Sequence, residues 1–184
     1  MKVQSLALAD VKLLTPRIFR DERGFFSETW NERALAEAGI EAHFVQDNHA
    51  LSVTRGTLRG LHFQIPPMAQ DKLVRCTRGA ILDIAVDVRR SSPTFGRHVS
   101  TLISAENWAQ VWVPQGFAHG YVTLESNTEV IYKVTAPYAP ACDRGILWND
   151  PALEIDWGVR ADQVILSEKD TRLPLLAQAH DLFA

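Results

Sequence analysis

The stretch GTLRGLHFQIPPMAQDKLVRCTRG, residues 56–79, sets a histidine, a glutamine and a lysine at the intervals of a ligand set. Five residues separate Gly56 from His62, one separates His62 from Gln64, seven separate Gln64 from Lys72 and six separate Lys72 from Gly79. Side chains alternate along a strand, so LRGLHFQ sends His62 and Gln64 to one face with Leu58 and Gly60, and Leu61 and Phe63 to the other. Arg59 is three residues from His62, and strict alternation parts them. A bulge at Gly60 would bring both to one site.

The sequence around this stretch reads as more short strands. KLVRCTRG ends at Gly79, AILDIAVDVRRSSPTFG runs from a long strand into a Ser-Ser-Pro turn, and RHVSTLI resumes. AQVWVPQGFAHGYVTL and NTEVIYKVTAPYAP follow at similar intervals. Many short strands with frequent turn signals predict an antiparallel all-β sandwich or barrel. In ILDIAVDV, Asp83, Ala85 and Asp87 share a face, and in EVIYKV, Tyr132 lies with Val130 and Val134. Helix signals occur only at the flanks. NERALAEAG offers Asn31 as N-cap and Gly39 as C-cap. Later, SEKDTRLPLLAQA opens on Ser167 with an acidic residue, Asp170, three positions on, which predicts a capped helix.

A second element of the pattern is PQGFAH, Pro114-x-Gly116-x-x-His119. Taken singly, His62 or His119 is more often a satisfied core histidine than a functional one. The two together, with this glycine and proline spacing, resemble the metal-binding cupin barrels, where the run reads Gly, His, His, Glu, Gly. The four ligand positions here are His62, Gln64, Lys72 and His119. A protonated amine has no lone pair to give a divalent metal, so the expectation is a cupin-type jelly-roll pocket with no metal.

The chain of 184 residues is about one domain's length, and one domain over residues 1–184 is expected, with no repeat or linker. At 46% hydrophobic it has ample material for a core, and 22% charged is ordinary for a globular protein. A formal net charge of -3 gives no electrostatic case for nucleic acid or an anionic membrane. No stretch approaches the roughly 18 apolar residues of a spanning helix, and the first apolar segment is broken by Asp10 and Lys12. Cys76 and Cys142 stand in unrelated contexts and read as reduced, buried thiols of a cytoplasmic protein.

A metal-free pocket with two histidines and a lysine retains acid–base chemistry. Lys72 suits an anion such as an enolate oxygen, and His62 suits a general base. Returning a proton to the opposite face of a carbon needs an acid across the pocket, and Tyr132 fits by parity, although a strand tyrosine is more often packing. Asp170 reads locally as the capping carboxylate of Ser167.

Several blocks, among them RDERGFFSETWNE, FVQDNH, GTLRGLHFQIPP, VPQGFAHGYVTL, YKVTAPYAP, RGILWNDP and LSEKD, resemble in order the dTDP-4-dehydrorhamnose 3,5-epimerases, from about residue 3 to residue 175. The resemblance implies a jelly-roll cupin homodimer, no metal and no cofactor, and a dTDP-4-keto-6-deoxy sugar substrate. It implies His62 as the proton-abstracting base, Asp170 as its dyad partner in place of the local capping role, Tyr132 as the acid on the opposite face and Lys72 as stabiliser of the C4 oxyanion. His119, oriented by Asp83, is similar to a second pocket histidine. Nucleotide contacts fall to Arg23, Glu28, Gln46, Asn48, Arg59 and Lys169, with Tyr138 and Phe19 sandwiching the thymine. The N-terminal block is expected to reach the partner subunit's site.

Two features depart from the family pattern. Asp143, counted among the substrate contacts, stands where a glutamate is common, and the segment between Asn48 and His62 is slightly longer than usual. Other readings remain open at this stage: inversion at C3 alone or C5 alone, a metal-dependent cupin, which Lys72 opposes, and a non-catalytic nucleotide-sugar binder, which the presence of His62, Tyr132 and Asp170 opposes.

Overall fold

In the computed structural model, which describes residues 1–184, antiparallel strands form two facing sheets. The first has the order β1 (Lys2–Ser5), β2 (Lys12–Thr15), β10 (Gln110–Val113), β7 (Lys72–Arg78), β12 (Thr128–Val134) and β5 (Gln46–Ser52). The second has the order β13 (Asp143–Gly145), β6 (Leu58–Gln64), β11 (Phe117–Thr123), β8 (Ala80–Asp87) and β9 (His98–Ser104). A separate hairpin joins β3 (Ile18–Asp21) to β4 (Gly24–Ser27). This is the antiparallel all-β sandwich that the strand pattern predicts and the cupin-type jelly roll that the resemblance implies.

The central core lies between the sheets. Val74, Val111 and Val130 from the first sheet meet Ile81, Ala85, Ile103 and Phe117 from the second. Behind the second sheet, Leu61, Phe63, Ile84 and Val86 pack on Ile146, Trp148 and Trp157 of the C-terminal segment. The three central strands of the second sheet, β6, β11 and β8, are therefore apolar on their outer face. Any polar residue on their inner face is consequently held in place by strands buried on both sides.

The register of β6 against β11 explains how Arg59 and His62 meet. His119 is paired with His62 but Tyr121 with Arg59, so β6 carries one more residue than β11 over this interval. The expected bulge is present, and Gly60 permits it. Its φ is +130°, and a Cβ there would stand 2.6 Å from the Cα of Gly120 and 2.8 Å from the His119 carbonyl.

At the flanks the prediction holds in one place and fails in another. α1 (Glu32–Glu37) forms, with Asn31 accepting a hydrogen bond from the Ala34 amide, and Gly39 follows the cap residue Ala38 at φ +77°. The helix expected from Ser167 onward does not form. Two single 3-10 turns, Asp170–Arg172 and Leu176–Gln178, stand in its place. Pro174 separates them, since proline has no amide to donate and disfavours helical backbone before it. Both cysteines are free thiols; Cys76 is buried as expected, but Cys142 is only half-buried.

Candidate active site

A cavity of about 380 Å³ opens between the sheets, lined by Arg59, His62, Lys72, His119, Tyr132 and Asp170 among others. His62 and His119 are register partners on β6 and β11. Tyr132 on β12 and Lys72 on β7 belong to the opposite sheet. The histidines and the tyrosine thus enter the cavity from opposite walls. Lys72 bridges the walls, its Nζ donating to the His62 carbonyl oxygen at 3.3 Å.

Each histidine is committed to a carboxylate. His62 Nε2 lies 2.6 Å from Asp170 Oδ1, and His119 Nε2 lies 2.8 Å from Asp83 Oδ2. Burial works to raise the Asp170 carboxyl, but the hydrogen bond and charge of His62, the Ser167 hydroxyl and Lys169 outweigh it, and its pKa falls below the ordinary value. Asp170 is therefore an ionised acceptor for the Nε2–H of His62, and Nδ1 is the ring nitrogen turned away from the carboxylate. The local capping reading of Asp170 also holds. Its second oxygen accepts from Ser167 Oγ at 2.9 Å, and its amide donates back to the same hydroxyl at 3.2 Å. One carboxylate holds both the turn and the imidazole.

Lys72 sits where burial disfavours its charge, and its pKa drops from 10.5 to about 8 despite the opposing carboxylates of Asp83 and Asp143. It is still mainly an ammonium at neutral pH. Burial raises the Tyr132 phenol, with Arg59 acting in the opposite direction. No set of three or more His, Cys, Asp or Glu side chains is gathered in metal-binding geometry.

The remaining expected contacts divide by location. Gln46 donates to Asn48 at 2.8 Å on β5, and Asn48 is the cross-strand partner of Tyr132, so both lie beside the cavity. Tyr138 donates its hydroxyl to Asp143 Oδ2 at 2.9 Å, and Lys169 forms an ion pair with that same oxygen. Phe19, Arg23 and Glu28 do not line the cavity of their own chain. Arg23 pairs with Asp21 at the tip of the β3–β4 hairpin, and Glu28 accepts from Asn31.

Tyr121 is a cavity residue that the sequence reading passed over. Its phenol is buried without a protein hydrogen-bond partner, and burial pushes its pKa up to about 12. Parity carried the signal, because Tyr121 lies two residues beyond His119 on the same face of β11.

Comparison with known proteins adds to this geometry. The family profile described as dTDP-4-dehydrorhamnose 3,5-epimerase matches residues 5–178. The dTDP-4-dehydrorhamnose 3,5-epimerase of Sinorhizobium fredii is 53% identical over 178 residues, 97% of this chain and 91% of that one. The crystal structure of the Bacillus anthracis enzyme of that name, with TDP and PPi bound, superposes with a TM-score of 0.91 at 49% identity, covering 95% of this chain and 98% of that one. A Legionella pneumophila dTDP-6-deoxy-D-glucose-3,5-epimerase, in complex with dTDP-4-keto-L-rhamnose, gives a TM-score of 0.93 at 41% identity, over 97% and 94% of the two chains. This chain belongs to the dTDP-4-dehydrorhamnose 3,5-epimerase family.

Proposed function

We propose that the protein inverts C3 and C5 of dTDP-4-dehydro-6-deoxy-D-glucose, giving dTDP-4-dehydro-L-rhamnose, as a step of dTDP-L-rhamnose biosynthesis. The observation that carries this reading is the placement of His62 and Tyr132 on opposite walls of one cavity, with the Lys72 ammonium between them. Both C3 and C5 flank the C4 ketone. Removal of either proton sends the electron pair of the C–H bond onto the same oxygen, so one base, one acid and one cation serve both centres.

In this scheme Nδ1 of His62 takes the proton, and the Asp170 carboxylate stabilises the imidazolium that results. Lys72 faces the enolate oxygen, and binding that anion favours its ammonium. Tyr132 then delivers a proton to the opposite face of the carbon, and exchange with solvent resets both groups. General acid–base help is worth about 10²–10⁴-fold, so much of the remaining acceleration falls to oxyanion stabilisation. No metal is required in this scheme, since the Lys72 ammonium has no lone pair to give at the third ligand position.

The nucleotide is assigned to Gln46, Asn48, Arg59, Tyr138 and Lys169 around the cavity, with Asp143 holding the last two. His119, oriented by Asp83, lines the inner wall. Phe19, Arg23 and Glu28 are assigned to the partner's site in a homodimer. The hairpin that bears Phe19 and Arg23 projects Phe25 at 61% and Phe26 at 69% exposure, surface that an isolated chain leaves in water. The whole chain, residues 1–184, then acts as one catalytic domain. A nucleotide-sugar substrate and two free thiols suit a cytoplasmic enzyme.

The test is incubation with the 4-keto sugar nucleotide in deuterium oxide, following configuration and label at C3 and C5 separately. Inversion and label at both carbons supports the reading. Inversion at one carbon alone makes the protein a mono-epimerase, and binding without exchange at either carbon rejects catalysis.

A further inference from the structure

Gln64 stands at one of the four ligand positions of the cupin pattern, and the epimerase reading leaves it without a role. It is 4% exposed. Its carboxamide serves loops and not the cavity: Oε1 accepts from the Ala139 amide at 2.7 Å, while Nε2 donates to the carbonyls of Met68 at 2.6 Å and Pro137 at 3.1 Å. Exchanging the two ends of the amide would set N–H against N–H and oxygen against oxygen, so the partners fix its orientation.

Two of these bonds bracket Tyr138. The residue is tied at other points as well. Its own amide donates to Gln46 Oε1 at 3.3 Å, and its hydroxyl donates to Asp143. At the start of the same loop, Gln70 donates to the Ala136 carbonyl at 2.7 Å. The tyrosine ring itself is 58% exposed. A buried amide thus gives two of its three hydrogen bonds to a loop whose largest side chain buries little of itself in the core. Such an arrangement suits an aromatic surface prepared for a flat ligand, because ordering a loop on binding costs affinity and a loop ordered beforehand avoids that cost.

We propose that Gln64 is a positioning residue for the nucleotide half of the substrate, acting through Tyr138. The proposal rests on the nucleobase role that the epimerase reading gives Tyr138. Gln64 holds residues 137–139 in place, and the ring of Tyr138 stays where a thymine can stack on it. The metal-ligand position of the cupin barrel has become a clamp on the cavity's rim.

The experiment measures calorimetric affinity for dTDP and steady-state kinetics with the 4-keto sugar nucleotide on the full chain. It compares wild type, Gln64→Met, Tyr138→Ala and the double variant. Gln64→Met is expected to raise Kd for dTDP and KM about tenfold while kcat stays within about twofold. In the Tyr138→Ala background it should add less than about twofold, because both changes remove one interaction. Wild-type dTDP affinity in Gln64→Met, or its full factor added to that of Tyr138→Ala, overturns the proposal. So does a fall in kcat with Kd unchanged. If Gln64→Met does not fold, Gln64→Asn keeps the amide one methylene short. Weaker dTDP binding is then expected, and wild-type affinity overturns the proposal. Should Tyr138→Ala alone bind dTDP like wild type, the nucleobase role of Tyr138 fails and the clamp proposal with it. Turnover of the 4-keto sugar by that variant would leave the epimerase reading standing.

Discussion

Asp170 holds His62 with one carboxylate oxygen at 2.6 Å and Ser167 with the other at 2.9 Å, so the imidazole is oriented by a group that is itself fixed in a turn. The imidazole arrives from β6 and the carboxylate from the C-terminal segment, 108 residues apart in the chain. Asp170→Asn keeps the shape but removes the charge that stabilises the imidazolium, and it frees the ring to reverse its tautomer. We expect kcat to fall about 10²–10⁴-fold with the fold retained. Circular dichroism and steady-state kinetics on the variant check this; a kcat within about threefold of wild type would reduce Asp170 to a capping residue.

Lys72 should set the alkaline limit of the reaction. Its ammonium form is lost as pH rises through about 8. If that charge holds the enolate oxygen, kcat/KM, which reports the free enzyme, should decline above a pH near 8. The same burial makes the charge unfavourable for folding. The folded pKa lies below the unfolded one, so the unfolded chain binds more protons between about 8 and 10.5, and stability rises with pH across that window. Lys72→Met should therefore abolish turnover yet raise Tm by a few degrees at neutral pH, since about 1 kcal/mol moves a domain of this size by roughly 2–4 °C. Thermal melts and a pH–rate profile read both effects.

Gly60 places Arg59 beside His62 through a bulge in which any added Cβ meets the β11 backbone. In Gly60→Ala the new methyl meets the Gly120 backbone at 2.6 Å, at a φ of +130°. A loss of about 1–3 kcal/mol in stability is expected, together with weaker nucleotide binding as Arg59 shifts. Urea unfolding and dTDP titration measure the two; an unchanged midpoint would show that the bulge relaxes freely.

The strand pattern of the sequence carried most of the fold and the inward-facing set. Asp83, Tyr132 and His62 point where alternation put them, because buried strands leave side chains only two directions. The Gly60 bulge was legible for the same reason: Arg59 and His62 share a site only if one residue is skipped. The helix after Ser167 was misread because a local capping pattern was allowed to outweigh Pro174. The second partner of Asp170 was invisible to the local pattern, since its hydrogen bond to His62 depends on tertiary packing. Gln64 was read as a failed metal ligand, and its partners lie on loops whose approach no periodicity encodes.

Arg23 and His62 should serve the same active site from different chains. Neither Phe19, Arg23 nor Glu28 lines its own chain's cavity. If the β3–β4 hairpin completes the partner's nucleotide site, Arg23→Ala and His62→Ala proteins are each impaired alone. Mixed after reversible dissociation, they should recover activity, because one site of each mixed dimer receives both native residues. Mixtures no more active than the separate variants would place Arg23 outside the partner's site, and a fully active monomer in sedimentation would exclude a composite site altogether.

The central claim is a division of labour between two walls, with the base on β6 and the acid on β12. Tyr132→Phe keeps the ring and removes only the proton it would deliver, so exchange in deuterium oxide, read by NMR at C3 and C5 of the 4-keto sugar, tests it most directly. The account predicts that deuterium still enters through His62 with configuration retained while inversion collapses, and that His62→Ala abolishes both. Near wild-type inversion at both carbons in Tyr132→Phe, or equal loss of exchange and inversion, would contradict it.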